Sequence, residues 1–292
     1  MTDEASLPDL PAHVQRLPDR GGLAVLRLQG PQGATVEVCT QGAHVLSWRD
    51  ATGRERLFLS PRARFAPGAA IRGGVPVVFP QFSGRGALPK HGLLRGLPWR
   101  LSETSSDARA ARLAFEIQDS GATRGLWPHA FHARLVIVLE AGALDIRLQV
   151  TNTSPTPFSF TSALHSYLAV ADVRVAQVHG LAQRPYEDAA DGGEWRVHPD
   201  APLGFDGEVD RVYPEVRSAL VLEEPGHRLQ VAAEGFPDVV VWNPGPSLAA
   251  ALVDLGEDQC ARFACLEAAS VLKPVVLGPG EHWSGGQRLQ TA

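Results

Sequence analysis

The chain has 292 residues, 44% hydrophobic and 20% charged, a balance that excludes an intrinsically disordered protein. Its 29 glycines and 23 prolines exclude long helical bundles and coiled coils. With 27 basic and 32 acidic residues the net charge is −5, which excludes a nucleic-acid groove or an anionic membrane surface as the main partner.

Period-2 alternation predicts strands along most of the chain. The opening MTDEASLPDLPAHVQRL is acidic and proline-broken, with no basic segment leading into an apolar one, so residues 1–18 are expected to be an irregular N-terminal extension. LAVLRLQG at 23–30 and ATVEVCT at 34–40 are the first predicted strands, and residues 61–98 follow as an irregular stretch. RLAFEIQ at 112–118 turns Leu113, Phe115 and Ile117 inward. HARLVIVLE at 132–140 and ALDIRLQVTN at 143–152 form a predicted hairpin across the Ala141-Gly142 link. In its second arm Leu144, Ile146, Leu148 and Val150 share one face, while Asp145, Arg147 and Gln149 share the other. A second irregular stretch covers residues 182–208, followed by RLQVAAEG at 228–235 and DVVVWN at 238–243, the latter apolar enough for burial on both faces. No helical period persists for a dozen residues, and no run reaches the roughly 18 apolar residues of a membrane-crossing helix. The expectation is an all-β, mostly antiparallel single domain over residues 1–292, in the cytoplasm, whose long ordered loops carry function. Cys39, Cys260 and Cys265 lack metal-ligand spacing and fit a reducing compartment.

Five islands set ionisable residues among glycines or apolar neighbours: IRGGVP at 71–76, KHGLLRG at 90–96, ALHSY at 163–167, DRVY at 210–213 and CLEAA at 265–269. Glu267, between Leu266 and two alanines, reads either as a structural ion-pair partner or solvent-facing strand residue, or as a carboxylate whose desolvation suits catalysis. His165 reads either as a hydrogen-bonded core histidine or as a proton-transfer group. Arg72, Lys90 and Arg95 lie in glycine-bounded loops where they can converge on a phosphate or carboxylate, or simply be solvated. His129 and His132 would point to opposite faces of a strand without a completing ligand, and Cys260 and Cys265 are five apart, so neither pair reads as a metal site. No dinucleotide or phosphate-loop glycine pattern occurs, and Ser162, Ser166 and Ser270 stand in no nucleophile elbow.

Taken in order, these islands, with GAHVLSW at 42–48, VVFPQFSG at 77–84, VVVWNPG at 239–245 and VVLGPGEHWSGGQRL at 275–289, resemble the aldose 1-epimerase (mutarotase) superfamily, and within it the hexose-6-phosphate branch. The resemblance implies a β-supersandwich of two large antiparallel sheets with a substrate groove. It also implies interconversion of the anomers of hexose 6-phosphates, chiefly glucose 6-phosphate, by acid/base ring opening without cofactor or metal. It assigns the catalytic pair to His165 and Glu267, sugar binding to Asp210, phosphate or sugar contact to Arg72 and Arg95, and a substrate-facing position to His91. Lys90, where some members carry glutamine, is a further expected contact. The expected active form has Glu267 ionised and His165 protonated, and the expected partner is a small sugar phosphate met by a monomer. A mutarotase of unphosphorylated aldoses would use the same pair but not the cations. A non-catalytic carbohydrate-binding protein would tolerate loss of His165 or Glu267, and a glycoside hydrolase would need two carboxylates such as Asp210 and Glu267.

Overall fold

Alternating burial along the strands produces two eight-stranded antiparallel sheets and a smaller one of four strands in the computed structural model, which describes residues 10–256 and 258–292. The four-stranded sheet runs in chain order through Val14–Arg20, Leu23–Gln29, Thr35–Cys39 and His44–Arg49. One large sheet has Ala143–Asn152 at its centre, between Phe131–Leu139 and His282–Thr291. The other is built around Phe263–Leu277, which pairs with Asp238–Asn243 on one side and with Phe158–Leu164 and Tyr167–Ala169 on the other. One buried cluster takes Val36 and Trp48 from the small sheet, Leu148 and Leu289 from the first large sheet, and Leu164 and Leu266 from the second. Opposed apolar faces are therefore what holds the layers together.

The predicted hairpin forms as read, from Phe131 opposite Asn152 to Leu139 opposite Leu144. Leu144, Ile146, Leu148 and Val150 are all buried, and five of the six residues of Asp238–Asn243 are buried, in keeping with a strand covered on both faces. Two boundaries differ from expectation. The N-terminal extension does not run irregularly to residue 18, because Val14–Arg20 is an edge strand folded back on Leu23–Gln29 across Gly21-Gly22. Its register breaks between Leu17 and Arg20, around Pro18, as expected where proline removes a donor. Residues 1–9 of the expected extension lie outside the described residues. Within 182–208 the strands Pro185–Asp188 and Glu194–Val197 form a hairpin, hidden from pattern reading because Glu194–Val197 is exposed throughout and so does not alternate. Residues 61–98 are largely irregular, a run of turns whose regular elements are the two-residue strand Val77–Val78 and the 3-10 helix Leu94–Gly96. Among the described residues no helix is long and apolar enough to cross a membrane.

Candidate active site

Glu267 is the fifth residue of the fifteen-residue strand Phe263–Leu277, opposite Val240, and is 1% exposed. His165 occupies the break between Phe158–Leu164 and Tyr167–Ala169, where its backbone N–H donates at 3.1 Å to the carbonyl of Pro76, the residue before the short strand Val77–Val78. The break faces the strand carrying Glu267 and brings His165 Nδ1 to 3.4 Å from Glu267 Oε1. Neither this Nδ1 nor Glu267 Oε2 has a hydrogen-bond partner among the described residues, although both are buried. Buried polar atoms left this way in a native fold call for a reason, and a substrate's hydroxyls would supply one. The imidazole lies flat against the Tyr167 ring, with centroids 4.7 Å apart and planes 6° apart, and meets Trp242 edge-on at 5.8 Å.

Both groups open onto a cavity of about 360 Å³ that is also lined by Arg72, Lys90, His91, Arg95 and Asp210. All seven singled-out residues therefore share one site. A larger recess of about 1030 Å³, beside Gly245–Ala251, contains none of them. Volume alone points to the larger recess; the concentration of ionisable groups points to the smaller cavity.

The loops are set by long-range hydrogen bonds. Buried His44 donates from Nε2 to the Gly73 carbonyl at 2.7 Å, and Gln41 donates to the Ala69 carbonyl at 2.9 Å while accepting from Gly68 N–H at 2.7 Å. Gly74 has φ +63°, and a Cβ there would lie 2.1 Å from the Val45 carbonyl oxygen, so only glycine lets the loop carrying Arg72 approach the small sheet this closely. Arg72 then donates from Nε and Nη2 to Asp254 Oδ1, at 3.2 and 3.1 Å, and from Nη1 to the Tyr167 hydroxyl at 3.1 Å. Arg95 Nη2 donates to the Lys90 carbonyl at 2.7 Å, so Lys90 supports Arg95 through its backbone, while its side chain lines the same cavity. His91, at φ +66°, accepts at Nδ1 from Ser83 N–H at 3.3 Å, which leaves Nε2 as the donor of its neutral ring. Its ring centroid is 5.4 Å from that of His165.

Electrostatics in the cavity favour uncharged acids and bases. Burial, and then Asp210, hold the Glu267 carboxyl well above the usual carboxylate range. Burial, reinforced by His91, Arg72 and Arg95, holds His165 well below the ordinary histidine range. The same causes, burial first and then Arg95, Lys90 and Arg72, push His91 down to about 3, and burial with Glu208 pushes Asp210 up to about 6. The expected ionised Glu267 and protonated His165 thus run against the direction in which their surroundings push each group. Burial and the nearby cations disfavour an imidazolium at His165, and burial disfavours a carboxylate at Glu267. The neutral pair and the ion pair nonetheless hold the same single proton.

Tyr167, Trp242, Glu208 and Asp254 also line the cavity and were not singled out from sequence. Tyr167 and Trp242 sit inside the quoted motifs ALHSY and VVVWNPG, where an aromatic residue next to ionisable or polar ones was an available signal. Asp254 had none. Among the serines, Ser162 donates to the Val78 carbonyl at 2.7 Å and Ser166 to Gln287, both holding backbone or core rather than facing the cavity.

A protein from Cenchrus ciliaris named "Putative glucose-6-phosphate 1-epimerase" is 36% identical over 274 residues, 90% of this chain and 83% of that protein. One of the same name from Salmonella typhimurium is 37% identical over 239 residues, 80% of this chain and 79% of that protein. A crystal structure of a Salmonella typhimurium protein described as a "putative mutarotase" superposes with a TM-score of 0.89 at 32% identity, covering 98% of this chain and 97% of that one. The pattern of the aldose 1-epimerase family matches residues 24–290, and the chain belongs to that family.

Proposed function

We propose that this protein interconverts the α and β anomers of a hexose 6-phosphate, with glucose 6-phosphate as the principal substrate. The observation that carries the reading is that Arg72, Lys90 and Arg95 line the same cavity as the buried pair His165 and Glu267. The name shared by the plant and Salmonella relatives supports it. In the proposed mechanism Glu267 takes the proton from the C1 hydroxyl while His165 gives one to the ring oxygen, and the ring opens. Rotation about the C1–C2 bond then presents the other carbonyl face, and the two groups return the protons in reverse as the ring closes. The substrate brings its hydroxyls to the unpartnered His165 Nδ1 and Glu267 Oε2 sides of the pair. Moving the one proton held between them from carboxyl to imidazole produces the base and the acid together. Each positioned proton transfer contributes on the order of 10²–10⁴ in rate. Asp210 and His91 hold sugar hydroxyls, and the arginines hold the 6-phosphate through charge-assisted hydrogen bonds.

Anomer-exchange NMR on glucose 6-phosphate and free glucose in parallel tests the proposal. The phosphorylated sugar should exchange with the higher kcat/KM, and equal values for the two sugars would remove the phosphate from the reading.

A further inference from the structure

The proposed phosphate site contains an unexpected carboxylate. Asp254 lines the cavity beside Arg72, and a negative charge there opposes a phosphate unless it serves a geometric purpose. The turn that bears it is fixed: the Ser60 hydroxyl lies 2.7 Å from the Asp254 carbonyl oxygen and 3.0 Å from that of Leu255. Ser60 N–H in turn donates to the Arg72 carbonyl at 3.1 Å. One buried serine therefore ties the backbone of Asp254 to the backbone of Arg72, and the two side chains meet above that tie.

A guanidinium has five N–H donors in a rigid plane. In Arg72 the Nε donor and one Nη2 donor go to Asp254 Oδ1, and one Nη1 donor goes to the Tyr167 hydroxyl. Two donors remain, one on each terminal nitrogen, the number and spacing that two phosphate oxygens accept in parallel. We propose that Asp254 is a positioning residue for phosphate recognition, fixing the plane of Arg72 so that its two remaining terminal donors are held ready for the substrate's phosphate. The inference rests on the hexose-6-phosphate reading above. It adds that phosphate affinity depends on a carboxylate that never touches the phosphate.

The test is steady-state anomerisation of glucose 6-phosphate and free glucose by the wild-type protein, Asp254→Asn, Asp254→Ala, Arg72→Ala and the double variant Arg72→Ala/Asp254→Ala. Asp254→Ala should raise KM for glucose 6-phosphate about tenfold more than KM for glucose, a loss of about 1.4 kcal/mol, with kcat changed less than KM. Asp254→Asn keeps an oxygen acceptor and should recover much of that loss. On the Arg72→Ala background, Asp254→Ala should add nothing, because its partner is gone. A lower KM for glucose 6-phosphate in Asp254→Ala would overturn the inference, since the carboxylate would then be acting only as a repulsive charge. So would a further, additive loss in the double variant. If Arg72→Ala is selective for the phosphorylated sugar and Asp254→Ala is not, the Asp254 inference alone falls. If Arg72→Ala affects both sugars equally, the phosphate reading falls with it.

Discussion

A carboxyl and an imidazole 3.4 Å apart inside the protein cannot be treated as two independent titrating groups. Glu267 is held above its ordinary range and His165 below, directions that favour one proton held by the pair as a whole. In the proposed mechanism activity needs that single proton. Adding a second at low pH removes the base, and removing the last one at high pH removes the acid, which gives a bell-shaped profile. Replacing Glu267 with Gln keeps the shape without the base, and replacing His165 with Asn removes the acid. Each change should lower kcat by at least about 10²-fold while thermal unfolding shifts little, and near wild-type turnover in either variant would show that the pair is not the catalytic one. The field on His165 supplies a finer expectation. Arg72 and Arg95 help to keep its proton off, and a phosphate dianion bound to them would cancel part of that positive field. The high-pH limb of the kcat profile should therefore lie higher with glucose 6-phosphate than with free glucose. Coincident limbs would mean that the phosphate does not neutralise the arginines facing the imidazole.

Strands and loops differ in what specifies them. Ala143–Asn152 is legible because one face is wet and the other dry, so its letters alternate. Val14–Arg20, with only Val14 buried, and the wholly exposed Glu194–Val197 give no such alternation; they are strands because a neighbour pairs with them. The loop carrying Arg72 is set by bonds from Gln41 and His44, about thirty positions upstream, and Arg72 meets Asp254 from 182 positions away. The singled-out site residues were legible because each stood in a distinctive motif. Asp254 was not, because an aspartate in a turn is ordinary until its distant partner is known. What the loop sequence does show is its glycines, and the structure separates two reasons for them. A Cβ added at Gly53 (φ +81°) would have nothing within 4 Å, whereas one added at Gly74 (φ +63°) would run into the Val45 carbonyl. Gly53→Ala should cost only the left-handed backbone penalty, roughly 1–2 kcal/mol. Gly74→Ala adds overpacking of roughly 1–3 kcal/mol, for about 2–5 kcal/mol in all, and should also raise KM as Arg72 is displaced. Urea unfolding of the two variants compares them directly, and equal losses would show that close packing is not what Gly74 provides.

At the scale of the whole molecule, charge is distributed unevenly. The chain carries a net −5, yet one cavity gathers Arg72, Lys90 and Arg95 beside two histidines. Many other arginines are in solvent-facing pairs, such as Arg174 with Asp172 and Arg217 with Glu215, where an ion pair contributes little. Arg72 is held by Asp254 and Tyr167, 182 and 95 positions away in the chain, and Arg95 by the carbonyl of Lys90 in its own loop. Solubility does not require that arrangement, whereas recognition of an anion does. Charge-assisted hydrogen bonds contribute roughly 1.5–3 kcal/mol each, so losing one should weaken apparent affinity by about 10–150-fold. Arg72→Ala or Arg95→Ala should raise KM for glucose 6-phosphate by that factor and alter KM for free glucose far less, because the unphosphorylated sugar never made the contact. Arg174→Ala, which removes a guanidinium from the surface, should change neither and controls for the loss of a positive charge from the molecule as a whole. If the phosphate serves only to anchor the sugar, kcat falls less than KM rises. An equal fall in kcat would mean that anchoring also aligns C1 and the ring oxygen between Glu267 and His165. If both sugars suffer equally, the arginines hold the sugar or shape the loops, and the mutarotase of unphosphorylated aldoses becomes the better account of this cavity.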